Sequence, residues 1–438
     1  MKKSLILILS LASFSCISAQ ISITGTRYKD FLPDTNTGLK TIYVVEDGKD
    51  AVISYTASSS TVKWQRYSKL GGGYAEEVDN VIRDGNTYTL PASSQDLGYI
   101  INDGQKQICF WVADYSLYHY NISGISTAES DCDRIWLNLA GSAPEIPYYT
   151  INGHRELIDR KIALEYATLR FDEGSFSYEP ITKTVLLSSA NGKISVESPL
   201  CDTHFTISPG IFADWEDSQP VHSQSFATKS VQAQTKAEQE ERDADNEQKT
   251  ETSNLGGSAP CDINFSAAVS DAAIYHRWEI SSDPDFNDVQ FTIDQLDFSY
   301  TFTEAGNTYV RLVANNAEGD CEYLSDTYTI SIGESKLDCP NAFSPGNADG
   351  VNDEWKVSYS SIVEFHCEIF NRWGKCLAKL TDPSQGWDGK VNGKVVGSGV
   401  YFYVINARGA DGKVYKLSGD INVINSRRSA NQAVDPEM

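Results

Sequence analysis

Basic residues are scarce in this sequence. Its 438 residues include 36 Lys and Arg against 60 Asp and Glu, and the formal net charge at pH 7 is −24. A chain this acidic repels phosphate backbones and anionic lipid headgroups. The composition therefore excludes nucleic acid as a partner.

The patterns that hold a metal ion or a catalytic nucleophile are also missing. No Cys-x-x-Cys pair, His-Glu-x-x-His or Gly-x-Ser-x-Gly occurs, and the six histidines are scattered. Zinc sites and serine hydrolases use these spacings. We therefore expect no metal, no cofactor and no catalytic residues. The alternative is a hydrolase with carboxylates in residues 145–235, where Asp and Glu are too frequent to single out a pair.

Long hydrophobic runs are confined to the N-terminal end. Two lysines precede the apolar run Leu5–Leu11, and two small residues come directly before Gln20. This layout is typical of a secretory signal peptide, so we expect cleavage to remove residues 1–19. Lipid attachment at Cys16 is the weaker alternative, because the usual Leu three positions upstream is missing. No other stretch reaches 18 apolar residues, so we do not expect the chain to span a membrane.

Apolar residues nevertheless make up 40% of the chain, which is enough for several cores. They recur in short alternating runs bounded by turn residues, the pattern of β-strands. A chain of this length corresponds to about three or four domains. The expected fold is all-β, built from tandem β-sandwich modules. Residues 20–140 resemble an immunoglobulin-like sandwich in architecture, with Trp64 on an early strand and Cys109 on a late one.

Two strings that contain Gly and Pro, Leu139–Pro144 and Leu255–Pro260, nearly repeat one another and predict domain starts. Between them, residues 141–235 indicate a small β unit of no assigned class. Residues 236–256 are rich in acids, and up to residue 251 they contain no aromatic or branched aliphatic residue. We expect a solvated linker or a frayed helix there. A calcium-binding or partner-binding segment is the alternative.

Residues 257–335 resemble a PKD-like or immunoglobulin-like β-sandwich. Tyr275–Ile280 is a strand centred on Trp278, and Phe302–Val313 supplies a Gly turn into a second alternating strand. The Gly-Asp-Gly that often follows the Trp strand in PKD modules is absent. The resemblance implies another two-sheet module.

Eight cysteines follow the predicted signal peptide, an even number that favours disulfides in an exported chain. An early-strand partner for Cys109 is missing, so we expect it to pair with Cys132. Cys261 and Cys321 lie near the two ends of the third unit and form the next expected pair. We expect at least three disulfides. The disulfide candidates are Cys109, Cys132, Cys261, Cys321, Cys367 and Cys376.

The most specific stretch begins at Cys339. It contains an ordered series of motifs: Pro340–Pro345, Asp349–Asp353, Ile369–Gly374, Gly386–Gly389, Gly399–Val404 and Gly419–Ile424. Together these motifs resemble the gliding-motility-associated C-terminal domain, the type B sorting domain of type IX secretion in Bacteroidetes. The resemblance covers residues 336–427 and leaves 428–438 as a tail. It implies a C-terminal antiparallel β-sandwich whose role is sorting.

The residues of this stretch predict a sheet without the resemblance. Val363, Phe365, Cys367 and Ile369 alternate with charged or polar residues, so one face is buried and the other is wet. Residues 339–428 hold nine acids and eleven bases, a net charge of +2. A near-neutral sheet on an acidic chain suggests that it meets a different surface from the rest.

The candidate sorting and partner-binding residues lie in the turns of this domain. They are Asp349, Gly350, Asn352, Asp353, Asn371, Arg372, Trp373, Gly374, Trp387, Asp388 and Gly389. At the tip of the predicted hairpin we expect Trp373 to pack under the sheet, and Arg372 to stay solvated and contact the partner. The Asp349–Asp353 loop also resembles half of a calcium loop. The later Glu of an EF-hand is missing, so turn chemistry is the simpler interpretation.

The resemblance implies export by the type IX apparatus and retention by an outer-membrane β-barrel of the PorP/SprF type. The leading hypothesis is therefore a non-enzymatic cell-surface protein with an adhesive, structural or secretion-associated role. The alternatives place a function in residues 20–235. One is the hydrolase above, and the other is a carbohydrate-binding protein that uses exposed aromatic residues such as Trp111, Tyr115, Tyr118 and Tyr120.

Overall fold

The structure, a computed structural model, describes residues 21–69, 75–92, 94–216, 218–249, 252–345 and 350–424. These residues form four successive β domains, which confirms the all-β prediction. Two short 3-10 helices cover Tyr115–Leu117 and Gly210–Trp215, and neither is long and apolar enough to cross a bilayer. The predicted signal peptide and the tail lie outside the described residues.

The first domain is a sandwich of two sheets. Its strands are β1 (Ile21–Thr24), β2 (Tyr28–Phe31), β3 (Thr41–Val45), β4 (Val52–Thr56), β5 (Val62–Tyr67), β6 (Glu76–Glu77), β7 (Ile82–Asp84), β8 (Thr87–Pro91), β9 (Leu97–Asp103) and β10 (Lys106–Asp114). The sheet orders are β1-β4-β8-β7 and β2-β3-β10-β9-β5-β6. Residues at alternating positions, such as Ile53, Ile101 and Phe110, pack around Trp64 between the sheets.

A buried carboxylate, that of Asp103, stabilises one end of this sandwich through hydrogen bonds. Asp103 accepts hydrogen bonds from the Tyr55 hydroxyl at 2.8 Å and from the backbone N–H groups of Ser58 at 2.7 Å and Ser59 at 2.8 Å. Burial alone would raise the pKa of Asp103, but the hydrogen bonds from Ser59, Ser58 and Tyr55 hold it well below its usual range. The folded domain therefore favours the charged form of this group.

We expect Asp103→Asn to lower the free energy of unfolding by about 1–3 kcal/mol at neutral pH, because the amide leaves buried donors unpaired. The folded-state pKa is depressed. The carboxylate therefore contributes its full stability above the unfolded value of about 3.9 and loses it as the pH falls below that value. Urea unfolding at several pH values measures this. An unaltered loss of stability in acid in the variant would contradict the role of Asp103.

The second domain holds two sheets and a separate hairpin. Its strands are β11 (Gly124–Ser130), β12 (Arg134–Ala143), β13 (Ile146–Tyr149), β14 (Arg155–Ile158), β15 (Ile162–Asp172), β16 (Ser177–Leu187), β17 (Ala190–Glu197), β18 (Thr206–Ser208) and β19 (Val221–His222). The sheet orders are β11-β12-β17 and β16-β15-β18-β19, and β13 pairs with β14.

The string Leu139–Pro144 does not begin a domain, because most of it lies within β12. Gly141 has a φ of +106°, and a Cβ there would lie 2.2 Å from the carbonyl oxygen of Asn121. The glycine permits a close backbone approach at an irregularity in strand register. The second domain therefore starts before the expected boundary at residue 141.

A hydrophobic joint connects the first two domains. Ile146 and Tyr148 of the β13–β14 hairpin share a buried cluster with Trp111 on the outer face of the larger sheet. Arg160 is fully buried at this joint and donates hydrogen bonds to the carbonyl oxygens of Tyr118 and Pro144, both at 2.8 Å. The two domains thus share a packed interface.

The third domain is a sandwich around Trp278. Its strands are β20 (Ala233–Gln239), β21 (Leu255–Gly257), β22 (Cys261–Val269), β23 (Tyr275–Ser281), β24 (Val289–Ile293), β25 (Phe298–Phe302), β26 (Gly306–Asn315), β27 (Glu322–Leu324) and β28 (Tyr328–Ile332). The orders are β20-β22-β25 and β21-β28-β26-β23-β24, with β27 also paired to β26. Trp278 is fully buried between the sheets.

The acidic segment at residues 236–256 is not a solvated linker throughout, because residues 236–239 end strand β20 and Asn246 and Gln248 bond to the fourth domain. Strand β20 pairs with β22 over its whole length, from Ala233 opposite Val269 to Gln239 opposite Ile263. Strand pairing uses backbone groups, so an edge strand needs few apolar side chains. The absence of branched aliphatic residues therefore does not exclude a strand at the edge of a sheet.

The fourth domain, residues 336–424, is built on a five-stranded sheet. Its strands are β29 (Lys336–Asp338), β30 (Ala342–Phe343), β31 (Ser358–Ser360), β32 (Ile362–Phe370), β33 (Cys376–Leu380), β34 (Lys390–Val391), β35 (Lys394–Val395), β36 (Gly399–Gly409) and β37 (Val414–Val423). The main order is β30-β37-β36-β32-β33, and β29-β31 and β34-β35 form small pairs. The inner face packs on a core that includes Trp355 and Trp387.

A disulfide between Cys132 and Cys321 joins the second domain to the third across 189 residues of sequence. The expected pairs Cys109–Cys132 and Cys261–Cys321 are therefore wrong. The physical reason is location. Cys109 is buried in the joint between the first two domains, and Cys261 is buried in the core of the third domain. Cys321 instead lies in a small cluster packed against Cys132.

Candidate functional site

The predicted sorting residues that the structure describes surround one end of the five-stranded sheet. At this end β32 finishes at Phe370, β37 finishes at Val423 and β36 begins at Gly399. At the opposite end, the backbone N–H of Ala305 in the third domain donates to the carbonyl oxygen of Ala410 at 3.1 Å. The end that carries the motifs is therefore opposite the end that contacts Ala305.

The segment that follows β20 attaches the fourth domain a second time. The side-chain amide of Asn246 donates to the carbonyl oxygens of Val357 at 2.7 Å and Pro383 at 2.8 Å. The backbone N–H of Gln248 donates to the carbonyl oxygen of Tyr359 at 2.7 Å. These contacts hold the domain in a defined position against the upstream chain.

The predicted hairpin turn is present between β32 and β33. Asn371 is buried, and its Oδ1 accepts hydrogen bonds from the backbone N–H groups of Trp373 at 3.1 Å and Lys375 at 3.0 Å. Gly374 has a φ of +79°, in the left-handed region that favours glycine. Asn371 and Gly374 therefore shape the turn, and Arg372 and Trp373 are presented by it.

Trp373 does not pack under the sheet, so that expectation is wrong. Its side chain is 50% exposed, and the guanidinium of Arg372 lies 3.9 Å from the centroid of its ring. The reason is position, because β32 ends at Phe370 and the turn carries the following residues beyond the paired strands. Tryptophan and arginine are enriched among the residues that carry binding energy at protein interfaces.

Trp387, Asp388 and Gly389 shape a second turn at the same end. The Trp387 ring is buried, with its centroid 5.4 Å from that of Phe343. Asp388 accepts a hydrogen bond from the backbone N–H of the residue two positions on, at 3.0 Å. A Cβ on Gly389 would lie 2.6 Å from Cγ of Pro345, so only glycine fits this approach. These three residues build the domain and bring the two motif loops together.

Gly350, Asn352 and Asp353 shape a third turn. The backbone N–H of Gly350 donates to Oδ2 of Asp353 at 2.8 Å, and the backbone N–H of Ser344 donates to the carbonyl oxygen of Asn352 at 2.8 Å. Asp349 lies outside the described residues. Within the described ranges, no group of three or more His, Cys, Asp or Glu is placed to hold a metal ion.

The sequence analysis passed over the central aromatic residue of this domain, Trp355. It is fully buried, and its indole N–H donates to the carbonyl oxygen of Pro340 at 2.7 Å. Its backbone pairs with that of Trp387, and its ring centroid lies 5.2 Å from that of Tyr403. Trp355 lies outside the regular strands, so period-two alternation did not identify it. The feature of the sequence that could have identified Trp355 as a core residue is its position close to the Asp349–Asp353 motif.

Cys367 and Cys376 lie on neighbouring strands without facing each other. Cys367 is opposite Leu380, and Cys376 is opposite Phe370. Cys367 is buried whereas Cys376 is exposed, and both are free thiols. Burial raises the pKa of Cys367 to about 12, which keeps its thiol protonated and unreactive.

We expect the mature protein to contain one disulfide and about six reactive thiols after denaturation without reductant. The free cysteines are Cys109, Cys201, Cys261, Cys339, Cys367 and Cys376. Titration with a thiol reagent, followed by mass spectrometry, measures the count in a chain that begins at Gln20. Two or fewer reactive thiols would contradict the structure and favour the three disulfides expected from the sequence.

The aromatic residues considered for glycan binding belong to the core. Trp111, Tyr115 and Tyr120 are each at most 4% exposed. Tyr118 is half-buried, and its hydroxyl donates to the carboxylate of Asp96. These four residues therefore do not form the exposed platform that the carbohydrate-binding alternative needs.

Comparison with solved structures returns chains with 10–11% identity. A Ca²⁺-stabilised adhesin with which an Antarctic bacterium binds ice is 11% identical, over 93% of this chain and 99% of that one, with a TM-score of 0.19. Dimeric latent PorU from Porphyromonas gingivalis is 10% identical, over 70% of this chain and 33% of that one, with a TM-score of 0.16. Immunoglobulin domains 1–5 of Sidekick-1 are 10% identical, over 92% of this chain and 100% of that one, with a TM-score of 0.23. Similarity this low carries no argument about function.

Comparison with protein families identifies two of the four domains, although no curated protein matches the chain. Residues 124–223 match a fibronectin type III domain, which agrees with the span of the second domain from β11 to β19. Residues 337–421 match the CHU_C type IX secretion signal domain and include the hairpin turn and both motif loops. The chain therefore carries a fibronectin type III domain followed, in its fourth domain, by a type IX secretion signal domain.

Proposed function

We propose that this chain is a non-enzymatic protein of the bacterial cell surface. Its secretion signal domain directs export through the type IX apparatus and then holds the chain at the outer membrane. The three upstream domains serve adhesion or a structural role outside the cell.

The observation that carries this proposal is the secretion signal domain at residues 337–421. Two features of the molecule support a sorting role. The hairpin turn of the domain lies at the end opposite the contact with Ala305, where a receptor can reach it. The domain is also close to neutral, whereas residues 20–338 carry a net charge of −26. Different surface chemistry suits a domain that meets a different partner.

Retention requires a partner in the outer membrane, and the family resemblance suggests a β-barrel of the PorP/SprF type. The fixed attachment of the fourth domain supports this arrangement, because Asn246 and the contact between Ala305 and Ala410 limit its movement. A barrel that holds the fourth domain would therefore hold the upstream domains in one orientation.

Crosslinking on intact cells tests the retention. The full-length chain is crosslinked at the surface, purified from outer membranes, and its crosslinked peptides are identified by mass spectrometry. We expect crosslinks between residues 336–424 and one outer-membrane β-barrel protein. Recovery of the chain from the medium alone, or crosslinks confined to the first three domains, would overturn the proposal.

A further inference from the structure

Exposed large apolar side chains are concentrated in the fourth domain. Of the sixteen such residues among the described parts of the chain, nine lie in the first three domains and seven in the fourth. The fourth domain contributes only residues 336–424, so its density of exposed apolar groups is nearly three times higher. A concentration of this kind marks an interaction surface.

Three of these residues lie in a row on β36. Val400, Phe402 and Val404 are 47%, 43% and 43% exposed, while Tyr401 and Ile405 between and after them are buried in the core. We call Val400, Phe402 and Val404 the outward stripe. Strand geometry places alternate residues on one face of the sheet, so these three side chains share the outer face.

The stripe continues toward the hairpin turn. Phe402 lies opposite Phe370, the last residue of β32, and directly opposed residues share a face of the sheet. Trp373 follows Phe370 by three positions, on a turn fixed by the buried Asn371. A rigid turn therefore presents a half-exposed tryptophan at the end of an apolar row.

The backbone of β36 cannot receive an added strand, because β32 and β37 already pair with it on its two sides. A partner must therefore pack side chain against side chain on this face. This differs from strand addition, the recognition mode in which unpaired edge groups provide the affinity.

The rim of the stripe identifies the class of partner. Glu368 lies opposite Val404 and is ion-paired with Lys379 of β33 at 2.6 Å, and Asp420 lies opposite Phe402. Charged groups on both sides of an apolar row oppose burial in lipid tails. An apolar centre within a charged rim is instead the anatomy of a protein interface, with basic or hydrogen-bond-donating groups on the partner facing Asp420.

We propose that the outward stripe and Trp373 form the surface by which the fourth domain docks on a protein component of the export and retention apparatus. The partner presents an apolar patch with basic or donor groups at its rim. This inference rests on the proposed function and names the surface that performs it. Arg372 holds the Trp373 ring ready for contact, with its guanidinium 3.9 Å from the ring centroid.

The test compares surface display of full-length variants in the native host. Phe402→Ser combined with Trp373→Ser is expected to reduce the surface-labelled fraction about tenfold, since two anchors of the interface are lost. Two matched controls are expected to stay within about twofold of the unmodified chain. Phe291→Ser removes a phenylalanine that is 54% exposed in the third domain, and Val414→Thr changes a valine that is 63% exposed at the far end of the same sheet.

A second, more conservative variant tests the same surface with less risk of misfolding. Val400→Thr with Val404→Thr keeps the β-branched shape and leaves the buried residues of β36 in place, and we expect the same direction of change. Unaltered display in both variants would overturn the docking surface. A chain that lacks residues 339–438 separates this result from failure of the proposed function, because that chain must lose display even if the stripe is irrelevant.

Other occupants of the stripe give different results with purified full-length protein. Sedimentation of the unmodified chain as a dimer and of the Phe402 variant as a monomer, with display unchanged, would assign the stripe to a second copy. Binding to phosphatidylethanolamine–phosphatidylglycerol vesicles that the variant loses would assign it to the membrane. Either result would overturn the proposal. A chain that is monomeric and does not bind the vesicles supports the proposed docking surface.

Discussion

Replacing Trp355 with alanine is expected to remove the stability and the function of the fourth domain together. Trp355 is fully buried, its indole N–H bonds to the carbonyl oxygen of Pro340, and its ring packs near Tyr403. Truncation of a large buried aromatic residue costs about 3–5 kcal/mol through lost burial and the cavity that remains. For a domain of this size, that is a large part of the total stability.

The matched control lies in the same domain. Trp373→Ala removes a ring that is 50% exposed and is expected to change the free energy of unfolding by about 1 kcal/mol or less, mainly through the lost contact with Arg372. Denaturant unfolding followed by circular dichroism, with surface labelling of the same variants, separates the two residues. We expect Trp355→Ala to lose both stability and display, and Trp373→Ala to lose display alone. Equal destabilisation by both changes would contradict the assigned burial.

Removal of the disulfide between Cys132 and Cys321 is expected to release the second domain from the third without unfolding either. A cross-link that closes so long a loop lowers the conformational entropy of the unfolded chain, which is worth about 5 kcal/mol of stability in the chain-entropy model. The ion pair between Lys229 and Asp320 beside it, at 3.0 Å, is partly exposed and contributes about 1 kcal/mol at most. Other contacts between the two domains, such as the Lys236 ammonium 4.9 Å from the centroid of the Phe176 ring, are non-covalent, so we expect the disulfide to be the strongest link.

Small-angle scattering and limited proteolysis measure this release. The Cys132→Ser, Cys321→Ser variant is expected to show a larger maximum dimension and new cleavage in residues 224–232, between β19 and β20. Cys376→Ser is the control, because it removes an exposed free thiol that joins no domains. A scattering curve identical to that of the unmodified chain would show that non-covalent contacts hold the domains together without the bond.

Local patterns in the sequence predicted the strands and turns, whose conformation depends on neighbouring residues. Alternating apolar residues around Trp64 and Trp278 predicted the sandwiches, and the Asn371–Gly374 motif predicted the hairpin turn. These features follow from side-chain periodicity and turn conformation, which neighbouring residues determine.

Features that depend on packing between domains were not predictable in the same way. The partner of Cys132 lies 189 residues away, and its proximity arises only when the second and third domains dock. Strand β20 has a polar composition, which an edge strand tolerates because backbone hydrogen bonds hold it. Trp373 was expected in the core because tryptophan usually is, but its position beyond the last strand pair leaves it exposed.

The central claim is that the fourth domain carries the export of the whole chain. Deleting Cys339–Met438 and measuring the fraction of protein that a membrane-impermeant label reaches on intact cells tests it most directly. The label should reach the full-length chain, while the truncated chain should stay in the periplasm with its three upstream domains still resistant to protease. Surface labelling of the folded, truncated chain at the level of the full-length protein would contradict the claim.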